Sequence, residues 1–221
     1  MEENEMRNSW DWNVVVDKGC WLEPSEEGYY YAVKWSREGK NVILDLGCGL
    51  RRHSILFDSY GFHVTAVDSS VEAIDFLREY SSKEGLDIEC DVADMHDLPY
   101  ADDTFDCIFA YLSVSHTDSK GILKVMSEIR RVLKAGGSIF FTLCSKDTWS
   151  YRDSGYERID NNTVVKPSGP EKGIPHLYVD KQDIENLMDG FTLIRVRHID
   201  DCFVCGRWQN SKHYFIEAEL M

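Results

Sequence analysis

Two glycines one residue apart, Gly47 and Gly49, stand directly behind the apolar run Val42-Ile43-Leu44-Asp45-Leu46. Glycine there lets the chain turn sharply and lets a ligand approach the backbone with no Cβ in the way. An amphipathic stretch with Ser54, Ile55, Leu56 and Phe57 follows, so the free N–H groups of a helix N-terminus point into the turn. A second apolar run at 62–67 ends at Asp68, nineteen residues beyond Gly49. A carboxylate at that strand tip can accept hydrogen bonds from both hydroxyls of a ribose. Either feature alone is weak, because many strands reach a helix through a G-x-G turn and Arg52 stands where the dinucleotide fingerprint needs its third glycine. Together they point to a ligand that carries a nucleoside.

Two further groups of residues are capable of chemistry. His116, in Tyr111-Leu112-Ser113-Val114-Ser115-His116-Thr117-Asp118, follows the fourth strand and is the candidate catalytic residue. Imidazole exchanges a proton near neutral pH. The plainer role is to pack against a ligand and position it. Cys202-x-x-Cys205, with His198 and His213, has the makings of a two-Cys, two-His metal site. A single C-x-x-C without a second pair reads instead as a reduced pair at a loop edge, so no metal ligand is assigned. The seven cysteines (20, 48, 90, 107, 144, 202 and 205) are scattered and odd in number, as expected of small core residues in a reducing compartment.

These residues need a frame, and from residue 41 the pattern alternates strand and helix, the mark of a parallel sheet covered on both faces. Strands are expected at 42–46, 62–67, 86–90, 105–111 and 138–143. Ser69 with Glu72 forms a capping box before a helix carrying Val71, Ile74 and Leu77. A helix near 119–134 carries Ile122, Val125, Met126, Ile129, Val132 and Leu133 on one stripe, with Gly136-Gly137 as its stop. Residues 145–179 break the alternation. Their Asn161-Asn162 turn and their Pro and Gly pairs predict a hairpin-bearing insertion. Asp180 caps a short helix, and 191–199 with 213–220 predict a final antiparallel strand pair. Trp10, Trp12 and Trp21 in the polar N-terminal arm are staples onto the core or walls of a site, the staple being the plainer reading. One domain is therefore expected over 1–221: an arm and helix at 1–39, a cofactor-binding core at 40–144, an insertion at 145–179 that caps the acceptor, and a C-terminal helix and strand pair at 180–221.

Composition narrows the partners. With 24 Lys and Arg against 39 Asp and Glu, a net charge of −15 argues against wrapping a nucleic-acid backbone. No apolar stretch approaches a membrane span and the N-terminus is acidic, so a cytoplasmic protein is expected.

At this point the chain resembles the class I S-adenosylmethionine-dependent methyltransferases, over about residues 40–144. The resemblance rests on Asp45-Leu46-Gly47-Cys48-Gly49-Leu50-Arg51-Arg52-His53, on Val67-Asp68-Ser69, on Asp91-Val92-Ala93-Asp94-Met95 with Leu98-Pro99, and on Arg130-Arg131-Val132-Leu133-Lys134-Ala135-Gly136-Gly137. Within the family it is similar to small-molecule enzymes of the ubiquinone/menaquinone-biosynthesis and tellurite-resistance-like type. Gly173-Ile174-Pro175-His176 also looks like a stretch in bacterial members of unassigned role. The likeness implies an α/β, doubly wound, Rossmann-like fold: a seven-stranded sheet, mostly parallel with an antiparallel final strand, and helices on both faces.

The resemblance also implies S-adenosyl-L-methionine as cofactor and methyl transfer to a small-molecule acceptor by in-line displacement. Gly47 and Gly49 would line the methionine part, Asp45 orient its ammonium, Asp68 hold the ribose, and Asp94 with the Met95 N–H address the adenine. Cys48, Ser69 and Tyr111 belong to the same implied lining. The family's usual third glycine is Arg51 here. That side chain is left open between crowding the turn, facing the cofactor's carboxylate and lying in solvent. The acceptor is expected among Tyr111, Ser113, Ser115, His116, Trp149, Tyr151, His176 and Tyr178. Two other functions use the same features. A nicotinamide-dependent oxidoreductase is opposed by Arg52 and by the 94–99 loop, and a non-catalytic cofactor-binding regulator is open because fold does not fix function.

Overall fold

Helix α1 (Glu26–Arg37) begins at Ser25, whose Oγ accepts the Gly28 N–H. Two acids open this helix, two bases close it, and Tyr31, Ala32 and Trp35 face inward, as a core-facing helix requires. The computed structural model describes residues 10–12, 19–204 and 206–221. Strand β1 (Val42–Leu46) leads into α2 (Arg52–Ser59), and β2 (His63–Asp68) into α3 (Val71–Glu84) and β3 (Ile88–Val92). Strand β4 (Phe105–Ala110), helix α4 (Gly121–Val132) and β5 (Leu133–Ser145) follow. The insertion holds α5 (Trp149–Arg152), β6 (Glu157–Asp160), β7 (Thr163–Val165) and β8 (Pro175–Val179). The chain then runs through α6 (Lys181–Leu187), β9 (Phe191–Asp200), the small hairpin β10 (Phe203–Val204) and β11 (Arg207–Trp208), and β12 (Lys212–Leu220).

The main sheet runs β3-β2-β1-β4-β5 with all neighbours parallel. Strand β12 pairs antiparallel with both β5 and β9, as the final strand pair requires. The expected seven strands are thus present, and the insertion enlarges the sheet to ten. The hairpin turns at Asn161-Asn162, and β8 continues from it to lie parallel to the last residues of β5, Cys144 and Ser145. Sequence alone announces the hairpin, but the edge it joins depends on where β4 leaves β5, after the pair Ala110–Phe141.

Two local expectations are corrected. The α3 cap is Ser70, not Ser69: Asp68 Oδ1 accepts the Ser70 N–H, which turns the chain one residue later and leaves Ser70 Oγ to accept from Ala73. Helix α4 does not run on to Gly136-Gly137. Leu133 still donates to the Ile129 carbonyl, yet its backbone is extended and it pairs with Phe105, so sheet pairing ends the helix.

One face of the sheet packs on α4 and α6 through Ile122, Val125, Met126, Ile129, Ile184 and Leu187. The other packs Tyr31, Trp35 and Phe57 onto Phe109, Phe140 and Phe215. Cys48, Cys107 and Cys144 are free and buried, as core residues should be, whereas Cys202 is exposed and Cys205 lies outside the described residues. Among the described residues no helix is long and apolar enough to cross a membrane. Strand β9 pairs only with β12 among the described strands and leaves Ile194 and Val196 exposed.

Asp106 ties the starts of three strands together. Its Oδ2 accepts the N–H groups of Asn41 and Val42, each at 2.9 Å, and its Oδ1 takes Lys134 Nζ at 2.7 Å. Burial pushes this carboxyl up, but the lysine and the two backbone donors outweigh it and hold it below the ordinary range. Asp106→Ala is expected to lower the unfolding free energy by about 1–3 kcal/mol, read from urea titrations. Because the folded pKa is the lower one, this contribution is full above the unfolded value near about 4 and is lost as pH falls through the folded value. The wild-type and variant midpoints should therefore converge in acid.

Candidate functional site

The glycine turn is locked from three sides. Gly47 and Cys48 donate to the Val67 carbonyl at 2.8 and 3.0 Å, and Asp68 Oδ2 accepts the Gly49 N–H at 2.9 Å. Both glycines have positive φ, +75° and +56°, a region L-residues rarely adopt. A Cβ on Gly47 would lie 2.2 Å from the Cβ of Ser113, whose Oγ donates to the Leu46 carbonyl at 2.6 Å. The ends of β1, β2 and β4 therefore converge on one backbone turn, at the carboxyl ends of the strands where open α/β sheets bind ligands.

Two buried acids flank it. Asp45 accepts the Ser54 hydroxyl at 2.6 Å and so fixes α2 to β1; burial pushes its carboxyl up to about 7. Burial also raises Asp68, against its bonds from Ser70 and Gly49. Arg52 is half-buried between the rings of Trp21 and Tyr111, each 5.2 Å from its guanidinium carbon, and its charge reaches Asp45. Arg51, whose direction the sequence left open, stacks on Tyr80 of α3 at 4.4 Å.

The arm lies on the turn. Trp12 is buried with Leu50 and Ala73, and its ring meets the position of a Gly49 Cβ at 3.0 Å. Trp10 and Trp21 pack against it, and the indole N–H groups of Trp10 and Trp12 are buried without a hydrogen-bond partner. Beyond β3, Asp94 bonds the backbone and the ring of His96, whose Nε2 lies 2.8 Å from Thr117 Oγ1 in the β4–α4 loop. Met95 packs partly buried on the core. Ser69 precedes the α3 cap, and Tyr111 stacks on Phe109 at the end of β4.

His116 sits across from this group, its ring 6.1 Å from Trp10 and 4.8 Å from His176. Its Nε2 is 3.6 Å from Glu171 Oε1, which His176 Nε2 approaches to 3.0 Å. Lys166 pairs with the other oxygen of Glu171. Burial would raise Glu171, but the two histidines and Lys166 outweigh it and hold the carboxyl well below the usual range. Burial pushes His176 and His213 down to about 4. Several hydrogen bonds hold this side in place: Leu177 N–H to the Ser115 carbonyl at 2.8 Å, Ser119 Oγ to Asp160 at 2.9 Å, and Asp11 N–H to the Pro170 carbonyl at 3.1 Å.

The structure thus brings Asp45, Gly47, Cys48, Gly49, Asp68 and Ser69 to one turn and sets Tyr111, His116 and His176 opposite. Ser113 and Ser115 serve the backbone. Trp149 is exposed against Tyr156, and Tyr151 packs on Tyr178, so this pair stands apart on the insertion. Arg52 as a half-buried cation, Lys166, Glu171 and His213 were not expected on the site. The one signal for Glu171 was its place just ahead of Gly173-Ile174-Pro175-His176.

Residues 43–137 match the family model described as a methyltransferase domain. The chain is 31% identical over 153 residues to the glycine/sarcosine/dimethylglycine N-methyltransferase of Actinopolyspora halophila, covering 66% of this chain and 27% of that protein. It is 28% identical over 138 residues to the malonyl-[acyl-carrier protein] O-methyltransferase of Pectobacterium atrosepticum, covering 62% and 50%. The chain thus spans between about a quarter and a half of the length of these curated relatives. A solved SAM-dependent methyltransferase from Methanosarcina mazei shares the fold, with a TM-score of 0.74 at 21% identity over 90% of this chain and 99% of that one.

Gly47→Ala meets both a forbidden φ and the Ser113 contact. It is expected to destabilise the protein by about 2–4 kcal/mol in denaturant titrations. Ser113→Gly in the same background should recover the steric part and leave the φ part.

Proposed function

We propose that this chain, whose residues 43–137 match a methyltransferase-domain model, is a class I S-adenosylmethionine-dependent methyltransferase that transfers the cofactor's methyl group to a small organic acceptor held beside His116. The observation that carries this reading is the glycine turn clamped by Asp68, with a half-buried arginine and two unpartnered indole donors around it. Such a cradle suits a zwitterion joined to a nucleoside. Gly47 and Gly49 let the backbone take the positive φ of the turn at the strand ends. The Asp68 oxygens keep lone pairs for ribose hydroxyls, and Arg52 offers a charge for a carboxylate. Asp45, and Asp94 with the Met95 N–H, would serve the ammonium and the adenine.

When bound, the sulfonium supplies an activated methyl and leaves as a neutral thioether. The protein's share is placement: the acceptor's lone pair must sit about 3 Å from the methyl carbon and in line with the departing sulfur. Trp10 and Trp12 cover the turn and keep water from it. His116, backed by Glu171, faces the acceptor and positions it, with a minor share in accepting its proton. N- and O-methyl transfer are both represented by name among the relatives. A small acceptor is the substrate class common to this reading and theirs.

Calorimetry should find S-adenosylmethionine and S-adenosylhomocysteine bound one per chain and NAD not bound. Asp68→Asn, which keeps the size of the side chain, is expected to weaken cofactor binding about 10–100-fold. Undiminished affinity would remove Asp68 from the site, and NAD binding in place of the sulfonium would overturn the reading. With an acceptor in hand, His116→Ala should raise the acceptor's KM with little change in kcat. A fall of about 10²–10⁴ in kcat at constant KM would instead make His116 the general base.

A further inference from the structure

The proton count of the histidine cluster does not close. His176 Nδ1 lies 2.9 Å from the Ile174 carbonyl oxygen, and His176 Nε2 lies 3.0 Å from Glu171 Oε1. Both neighbours only accept. A ring with one proton satisfies one of them and turns a lone pair towards an oxygen lone pair on the other side. Closing the second contact takes a positive centre between Nε2 and Oε1, either a second proton or a metal ion.

The surroundings favour the metal. His116 Nε2 approaches the same oxygen, at 3.6 Å, and the three ligand atoms lie within 4.8 Å of one another. Bonds of 2.0–2.1 Å to zinc put neighbouring ligands about 2.9 Å apart in octahedral and about 3.3 Å apart in tetrahedral geometry, close to the two separations at Oε1. Lys166 occupies Oε2 and leaves Oε1 turned to the histidines. The Nδ1–H on the Ile174 carbonyl fixes the tautomer in which Nε2 is the ligand, the outer bond typical of metal-binding histidines. An independent sign is His213: its Nδ1 is buried with no partner, and the charges of Glu171, His116 and His176 reach it. Four separate segments supply these side chains.

We propose that His116, Glu171 and His176 form a site for one divalent cation of the zinc class, with His213 beside it as a fourth donor or as a neighbour of an open position. Two histidines and one carboxylate are a known ligand set for a metal that keeps a position free. Lys166 already balances Glu171, so a dication brings two uncompensated charges and an anionic donor suits the open position. On the methyl-transfer reading, from which cation binding itself is independent, this narrows the acceptor to a thiol, an alcohol or a carboxylic acid that releases its proton to solvent and meets the cation as its anion.

The test is made without methyl donor or acceptor. Protein treated with chelator and then dialysed is titrated with zinc chloride by calorimetry, and separately with cobalt(II) followed by visible absorption. One equivalent should bind, with cobalt bands that zinc abolishes. Glu171→Gln and His116→Ala, checked for folding by circular dichroism, should each lose at least about 100-fold in affinity. Cys202→Ser and His198→Ala should lose nothing. Absence of stoichiometric binding to the wild type overturns the proposal, as does full binding in both ligand variants or loss of binding in Cys202→Ser. Nitrogen NMR gives a check that needs no variant: His176 bearing protons on both nitrogens in the zinc-treated protein would identify the positive centre as a proton. Because metal is read directly, cation binding without methyl transfer, and methyl transfer without cation, separate the two readings.

Discussion

The carboxylate of Asp68 is where the β1–α2 and β2–α3 units of the parallel sheet meet. One oxygen accepts the Gly49 N–H and the other the Ser70 N–H, so a single side chain holds the turn after β1 against the start of α3. The Val67 carbonyl adds two bonds to the same turn. Both helices that follow are aimed by this joint. A buried acid is costly unless its lone pairs are occupied, and here the backbone occupies part of them while leaving acceptor capacity at the strand tips. The same arrangement requires Gly47 and Gly49, because positive φ and the contact with Ser113 exclude a side chain at the first of them.

The opposite wall is assembled from parts distant in the chain. The β4–α4 loop carries His116, the β7–β8 loop carries Glu171, β8 carries His176 and the start of β12 carries His213. What fixes them is the seating of the insertion on the end of β5, reinforced by Asp160 on Ser119 and by Leu177 on Ser115. The arm crosses from one wall to the other: Trp12 lies on the glycine turn while the neighbouring Asp11 bonds the loop that holds Glu171. A regular parallel sheet thus carries the glycine turn, and irregular segments carry the histidine wall.

This division explains what was legible in the sequence. Val42–Leu46 with its glycines, Asp68 and the α4 stripe follow local rules of period and turn chemistry, and each appears where those rules put it. The stop of α4 did not, because Leu133 is taken by pairing with Phe105, a contact no local pattern contains. The choice between Ser69 and Ser70 as cap was settled by the side chain of Asp68 rather than by capping preference. Arg51 and Arg52 are adjacent and alike, yet one stacks on Tyr80 of α3 and the other lies between Trp21 and Tyr111. Glu171 and His213 carry no pattern of their own. Their meeting depends on β8 and β12 both reaching the end of β5.

Strand β9 has a consequence for the molecule as a solute. An open strand edge with exposed Ile194 and Val196 is a template on which another chain can add. Arg195, Arg197, His198 and Asp200 are interleaved along that edge. Arg197 is paired with Glu27, and a strand added there would have to strip water from the guanidinium of Arg195. The edge is therefore guarded by charge rather than by a covering helix, and the guard weakens as salt screens it. Colloidal stability of this chain should thus depend on ionic strength in a way that its folding does not.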